Sequence, residues 1–555
     1  MTNDTAAVYA ALLSERRQDA AAFDRNNARF AYARLAIAIS AAVVVWLALS
    51  RGYSILWVLV PVGAFVALMM AHERVLRRVQ RLRRAETFFE RGLARLKGDW
   101  EGRGETGERY LDPAHPYAQD LDLFGKASLF ELLSTARTHI GEATLAKWLL
   151  GPETPEGVRA RQAAVEELRT RLDLREQLAV LAEDARTGID PVSLAQWGEA
   201  APQLASQGLR VSAWGFRILG IAGLVAGFVG MIASAGFMKM APSAVVFGRD
   251  LFLLALAVNG IFYYRNRSLM EPVVAAVDEA AHELRLLAEV LALLEKQSFH
   301  APLLAQLRAS LDTEHAPPSV RLARLGRVMD YLDSRENIFV KLLEPFVLWT
   351  PYWAVQVEEW RKHSGPAVRR WLEAMGEMEA LSSIAGYAFE HPADPFPEFA
   401  EGGPCFEADG VAHPLIPEER AVANDVAIGG ELRIVVVSGS NMSGKSTMLR
   451  TIGVNTVLAQ MGAPVRARRM KLSPLAVGAS IRLNDSLREG VSRFYAEILR
   501  LRQILDLTAG PLPVLFLIDE FMHGTNSHDR RIGAEAMARG LVKRGAIGLI
   551  TTHDL

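Results

Sequence analysis

The chain has 555 residues, enough for about three or four domains. Its 62 basic and 63 acidic residues nearly cancel, so no global charge excess argues for a nucleic-acid partner. The lone Cys405 excludes an intrachain disulfide and suits a reducing compartment, and the polar chain start lacks the pattern of a cleavable signal peptide.

Half of the residues are hydrophobic and the mean hydropathy is +0.12, high for a soluble enzyme. The excess is concentrated. Residues 35–50, 52–71 and 218–238 carry no charge, and a shorter run, 251–264, follows Arg249 and Asp250. A spanning helix needs about 20 apolar residues. The second and third runs qualify. The first qualifies if it extends back past Arg34, whose side chain can snorkel. The fourth qualifies only if it starts before Arg249, and a buried core helix is the competing reading.

Five arginines between Arg16 and Arg34 precede the first run, six between Arg74 and Arg84 follow the second, and the turn between the runs holds only Arg51. That bias keeps both flanks in the cytoplasm. The arginines at 74–84 are also periodic, so a solvated helix face is an equal local reading. The expected order is a cytoplasmic segment (1–33), a transmembrane hairpin (34–72), a helical linker (73–122), the first part of a helical core domain (123–210) and a second hairpin (211–265).

Residues 266–390 read as the second part of the helical core, carrying lever helices. Apolar residues recur near every third or fourth position over 272–294 and 322–348, punctuated by Ala301-Pro302 and Ala316-Pro317-Pro318. Long amphipathic helices suit lever arms and equally suit ordinary bundle packing. Trp349, Trp353, Trp360 and Trp371 read as core or interface aromatics. A proline-rich stretch, 391–414, opens the last domain, 391–555. No internal repeat or metal-ligand cluster stands out.

The chemistry sits in that last domain. An apolar run, 434–437, reads as a buried strand and leads into Gly439-Ser440-Asn441-Met442-Ser443-Gly444-Lys445-Ser446-Thr447, followed by a helix-like segment over 447–458. This is the phosphate-loop pattern G-x-x-x-x-G-K-[ST] in its strand–loop–helix context. The glycines let backbone N–H groups turn toward phosphates, and the helix N-terminus adds favourable partial charge. Lys445 can reach the β- and γ-phosphates, and Ser446 can hold Mg²⁺. A second apolar strand, 514–518, ends in Asp519-Glu520. Asp519 can hold the Mg²⁺ and Glu520 can polarise an attacking water. Alone, that pair is equally an acidic strand cap. A third run, 546–550, ends in Thr551-Thr552-His553, placing a histidine in reach of a γ-phosphate. Three strand ends in this order point to one ATP site.

These residues resemble the MutS family of DNA mismatch-repair ATPases, within the ABC-like ATPase class. The loop resembles that family's G-P-N-M-[GS]-G-K-S-T, with Ser440 in place of proline. Asp485, Leu487, Gly490, Ser492, Phe494 and Glu497 resemble its D-D-L-x-x-G-x-S-x-F-x-x-E segment, with Ser486 in place of the second aspartate. Asp519 to Asn526 resembles D-E-x-x-x-G-T-[SN], and Thr552-His553 its T-H switch. His413-Pro414 and Asn424-Asp425 resemble the words that open its ATPase domain. Further back, residues 128–133, 138–141, 149–152 and 161–168 resemble the start of its helical core. Nothing resembles the mismatch-reading N-terminal domain.

The resemblance implies an α/β P-loop ATPase domain of ABC-like type at the C-terminus, preceded by an all-α core and lever domain. It implies ATP with Mg²⁺ bound between two ATPase domains, hence a homodimer, with Ser492 reaching the partner's γ-phosphate. It also implies DNA binding, to duplex or structured DNA, by the core and levers. With the apolar hairpins added, the expectation is a multi-pass protein of a bacterial inner membrane, its partner the lipid bilayer, its ATPase domain cytoplasmic. ATP is the one small-molecule substrate inferred. The alternative is a membrane transport or remodelling ATPase, or a slow ATP-gated scaffold, that binds no DNA. Against a conventional ABC transporter, no LSGGQ-like signature is present. The chain stops two residues past His553, where the family continues into a helical dimerisation tail. Either the chain is truncated or membrane and core contacts hold its dimer.

Overall fold

The computed structural model describes residues 2–51, 55–185, 190–202, 204, 207–236, 238–312, 316–440, 443–482, 493–520 and 527–552. The first 390 residues are mostly helical. Helices α1 (Thr2–Arg51) and α2 (Leu59–Leu96) pack against each other as a hairpin. A group of shorter helices follows: α3 (Leu129–Leu133), α4 (His139–Leu150), α5 (Pro155–Arg169), α6 (Leu172–Ala185) and α7 (Pro191–Glu199). Their starts follow from sequence. Ser128, Thr138, Thr154 and Asp190 each accept a backbone N–H from the first turn of the next helix, and proline opens α5 and α7.

A second hairpin pairs α8 (Gln207–Ser234) with α9 (Pro242–Glu295). Gly220, Gly223 and Gly227 form the contact face of α8. A Cβ on Gly223 would stand 2.6 Å from that of Ala255, and one on Gly227 would stand 2.7 Å from the Phe252 ring. Small residues at such spacing let two apolar helices approach closely. Among the described residues, three segments are long and apolar enough to cross a membrane; they lie within Leu59–Leu96, Ser212–Ser234 and Pro242–Ala276. The first apolar run, within α1, forms the shorter segment Tyr32–Leu47. The fourth run gains its length upstream: α9 starts at Pro242, and Arg249 pairs with Asp250 at 2.9 Å. Both α2 and α9 continue unbroken past residues 72 and 265.

Helices α10 (Pro302–Leu311), α11 (Pro318–Asp333), α12 (Ile338–Val347) and α13 (Trp349–Glu390) complete the helical part. The periodic stretch 322–348 is therefore two helices, not one. Leu348 takes φ +46°, which separates α12 from α13, and the Glu344 carboxylate accepts the Thr350 N–H at 3.1 Å across the break. Pro272 lies inside α9 and does not open a helix. Helix α13, with 42 residues, is the spine of the core, packing on α4, α5, α7, α10 and α11. Its last residue, Glu390, is fully buried. It accepts two bonds from Arg95 of α2 (2.6 and 2.7 Å) and one from the Tyr9 hydroxyl of α1 (3.2 Å).

After α13 the chain turns α/β. Strands β1 (Glu398–Phe399), β2 (Cys405–Val411), β3 (Asn424–Gly429) and β5 (Arg469–Leu472) form a small mixed sheet in the order β1-β5-β2-β3. Strands β4 (Ile434–Ser438), β6 (Ala476–Ser480), β7 (Val514–Ile518) and β8 (Ile547–Thr552) form a parallel sheet in the order β4-β8-β7-β6. Helices α14 (Lys445–Met461), α15 (Arg493–Leu507) and α16 (Ser527–Lys543) belong to this half. Every residue of β7 is buried, as a continuous apolar run in a parallel sheet requires.

Candidate functional site

Parallel pairing brings the C-terminal ends of β4, β8 and β7 to one edge of the sheet. Ser438 lies opposite Thr552, and Ile518 opposite Ile550. The residues that follow β4 and β7 are thus separated by a single strand. This is the carboxyl edge at which open α/β sheets bind ligands.

Gly439, Ser440, Ser443 and Gly444 make the turn from β4 into α14, which starts at Lys445, two residues before the sequence expectation. Gly444 sits at φ +87°, a conformation that suits glycine. Lys445 is buried, and its Nζ donates to the carbonyls of Gly439 (2.7 Å) and Ser440 (3.0 Å), drawing the ammonium across the turn. Ser446 and Thr447 occupy the first turn of α14. Asn441 and Met442 lie outside the described residues.

A cavity of about 530 Å³ opens on this turn, lined by Lys445, Thr447 and Thr451 on one side and by His413, Arg420 and Asn424 on the other. Burial, with Arg450 beside it, pushes the His413 imidazole down to about 4, so the ring is neutral at pH 7. Its Nδ1 accepts the Leu415 N–H at 3.2 Å. The residues fit the phosphates of a nucleotide. The loop presents backbone N–H groups at a helix N-terminus, the buried ammonium offsets phosphate charge, and the cavity falls in the size range of cofactor sites.

Asp519 and Glu520 follow β7. Thr551 of β8, fully buried between them, donates its hydroxyl to Asp519 Oδ1 and accepts the Glu520 N–H at 3.0 Å. The Asp519 N–H is held by the Ser480 carbonyl at 2.9 Å. Glu520 takes φ +49°, which an L side chain adopts only where its surroundings impose it. Backbone strain of this kind clusters at reactive sites. Ser492 and His553 lie outside the described residues, as do Asp485, Leu487 and Gly490. Glu497 is buried on α15.

Two features were not singled out from sequence. One is Thr551, whose partners lie 31 and 32 residues away in the chain. The other is a strap, residues 112–123, that seats the helical core on the sheet edge. Asp120 Oδ1 accepts the N–H groups of Ile481 and Arg482, each at 2.7 Å, and the Ala479 N–H reaches the Pro116 carbonyl at 2.9 Å. Arg500 of α15 donates to the His115 carbonyl at 2.7 Å. Burial pushes the Asp120 carboxyl up, against the pull of the two N–H groups and Arg500. The paired aspartates of this strap carried no motif that sequence reading could use.

Comparison with known proteins bears on the same region. Residues 435–555 match the family description MutS domain V, which covers the loop, Asp519-Glu520 and the last strand. The C-terminal part of this chain belongs to the MutS family. Over 187 residues it is 35% identical to Endonuclease MutS2 of Thermus thermophilus, covering 34% of this chain and 24% of that protein. Over 199 residues it is 32% identical to the DNA mismatch repair protein MutS of Thermotoga petrophila, covering 35% and 24%. A MutS protein of Brevibacillus brevis is 31% identical over 194 residues, covering 34% and 22%. The chain spans about a quarter of the length of these relatives. The matched region is a MutS-type P-loop ATPase domain, and a mostly helical part precedes it.

Proposed function

We propose that this protein is a membrane-anchored, MutS-related ATPase that binds and hydrolyses ATP with Mg²⁺ at an interface between two ATPase domains. One observation carries the reading: Asp519 and Glu520 are fixed by Thr551 one strand away from the loop that buries Lys445. In the proposed site, Gly439 to Thr447 cradle the phosphates, and Ser446 and Asp519 hold Mg²⁺, which offsets phosphate charge. Glu520 orients and deprotonates the attacking water. His553 and Ser492 act at the γ-phosphate, Ser492 from the partner subunit, by resemblance to the MutS motifs.

The proposed domains are a segment 1–33, hairpins 34–72 and 211–265, a linker 73–122, core parts 123–210 and 266–390, and the ATPase domain 391–555. The three long apolar segments and the glycine stripe of α8 support anchoring in a bilayer, with the ATPase domain on the cytoplasmic side. The relatives, a DNA mismatch repair protein and an endonuclease by name, support binding of duplex or structured DNA. The near-neutral charge favours a second reading, a membrane-remodelling ATPase without DNA.

The test is turnover by the full chain in detergent or nanodiscs. Glu520→Gln should still bind ATP and lose hydrolysis; unchanged turnover refutes the assignment of the base. Duplex DNA binding measured against salt separates the two readings.

A further inference from the structure

Helix α12 presents an apolar face outward. Ile338 and Leu342 stand four residues apart on one helix face, and each is 72% exposed. The C-terminal end of this helix packs on the second hairpin. The Phe346 ring meets Phe252 of α9 at 4.8 Å between centroids, and the Phe346 carbonyl accepts the side-chain amide of Asn259 at 3.3 Å. Gly220 of α8 makes room for that carbonyl, since a Cβ there would stand 1.9 Å from it. Asn259 is fully buried and lies within the uncharged run 251–264 of α9, six residues before Arg265. The C-terminal end of α12 is therefore anchored on the apolar part of the hairpin.

The helices on either side of α12 meet at one aromatic collar. Tyr331, at the end of α11, stacks on Trp353 at 4.4 Å, and the Trp349 indole donates to the Tyr331 carbonyl at 2.7 Å. Tyr352 meets Trp214 of α8 edge-on at 5.5 Å, with the Arg217 guanidinium 3.9 Å above its ring. Aromatic rings with a polar handle, beside an arginine, suit the level of lipid headgroups. At ten residues, α12 is about 15 Å long, half of a bilayer's hydrocarbon core. It is too short to cross, and it leaves and rejoins the collar on the same side.

We propose that α12 is a re-entrant helix that dips into the cytoplasmic leaflet beside the second hairpin, with Ile338 and Leu342 against acyl chains. This rests on the reading that the hairpin spans a bilayer. The hairpin also exposes apolar side chains, Ile218 and Ile261 among them, and α12 packs against it, so a bilayer around the hairpin reaches α12 as well. The end of a helix in hydrocarbon needs its polar backbone groups satisfied, at several kcal/mol each. Asn259 does this for the Phe346 carbonyl and Glu344 for the Thr350 N–H. An asparagine within the uncharged run 251–264 thereby has a defined task.

The test uses the full chain in nanodiscs, with Cys405→Ser and single cysteines at Leu342, at Phe228 of the hairpin and at Leu432 of the ATPase domain. All three positions are exposed, so folding is preserved. A charged maleimide should modify Leu342→Cys and Phe228→Cys more than about tenfold slower than Leu432→Cys, because a charged reagent is excluded from hydrocarbon. A spin label on Leu342→Cys should collide with oxygen and not with a water-soluble nickel chelate. Fast modification at 342 with protection at 228 overturns the re-entrant helix alone. Fast modification at both overturns the membrane reading of the hairpin as well. A label at 342 that meets neither oxygen nor nickel is covered by a second copy of the chain, and that result also overturns the proposal.

Discussion

Thr551 offers the sharpest test of how the site is held. Its hydroxyl makes two bonds, one to the Asp519 carboxylate and one from the Glu520 N–H, and it is fully buried. Thr551→Val keeps the shape and removes both. A bond to a charged group contributes about 1.5–3 kcal/mol and a neutral one about 0.5–1.5 kcal/mol, so the loss is about 2–4 kcal/mol. With a domain of this size losing roughly 2–4 °C per kcal/mol, melting of the ATPase domain should fall by about 4–16 °C. The kinetic effect should exceed what fractional unfolding explains. The bond from its N–H to Thr551 helps hold Glu520 at φ +49°, and a shift of about 1 Å in a reacting group can cost about 10²-fold in rate. The assay is steady-state ATP turnover with varied Mg²⁺, below the melting range, with Thr551→Ser as the control that keeps the hydroxyl. We expect kcat to fall about 10–100-fold for Val and to stay near the parental value for Ser. Equal turnover for the two variants would show that the hydroxyl does not position the carboxylates.

Glu520→Gln should slow hydrolysis by about 10²–10⁴-fold while ATP binding persists, and Lys445→Ala should weaken nucleotide binding itself, both read by equilibrium binding and single-turnover assays. Mixing Ser492→Ala chains with Lys445→Ala chains should restore activity above either alone; no rescue in demonstrated mixed dimers would confine Ser492 to its own subunit. Burial pushes the Glu379 carboxyl up to about 7, against the pull of Thr138 and Arg137, so the folded state favours its protonated form. Its stabilising contribution is complete below the unfolded value near 4.5 and is lost as pH rises to about 7, a change of about 3 kcal/mol. Denaturant melts of Glu379→Gln should lack that slope, and an unchanged slope would place its origin elsewhere. The protein should sediment with membranes and resist salt and alkali extraction, and removal of residues 1–73 should leave partial association through the second hairpin; a fully soluble, monodisperse product would contradict that.

The nucleotide loop was legible because its residues are contiguous and its strand and helix flank it directly. The apolar runs of β4, β7 and β8 were legible because a strand buried on both faces reads as an unbroken hydrophobic word. What sequence missed is long-range. Thr551 acts on residues of a neighbouring strand, and Tyr9 meets Glu390 across 381 positions of chain. The break between α11 and α12 was hidden because apolar spacing continues across the short turn at Ser334–Glu336, and the end of α12 is marked only by the left-handed Leu348. The last hairpin helix was under-measured, because a mutually paired Arg249 and Asp250 look like an end when they lie inside it.

Helix α13 has a mechanical consequence. Its 42 residues make a rod about 63 Å long. One end sits at the aromatic collar beside α8 and α12, and the other, Glu390, stands just before the first strand of the ATPase half. Tyr9 and Arg95 clamp that far end to both helices of the first hairpin, and parting a buried ion pair of this kind costs about 3–5 kcal/mol. A tilt of only about 5° at the collar would move the clamped end by roughly 5 Å over that length. The two hairpins therefore grip one long helix at its opposite ends, so in the proposed membrane setting a change in their spacing would either bend that helix or displace the sheet edge where Lys445 and Asp519 stand.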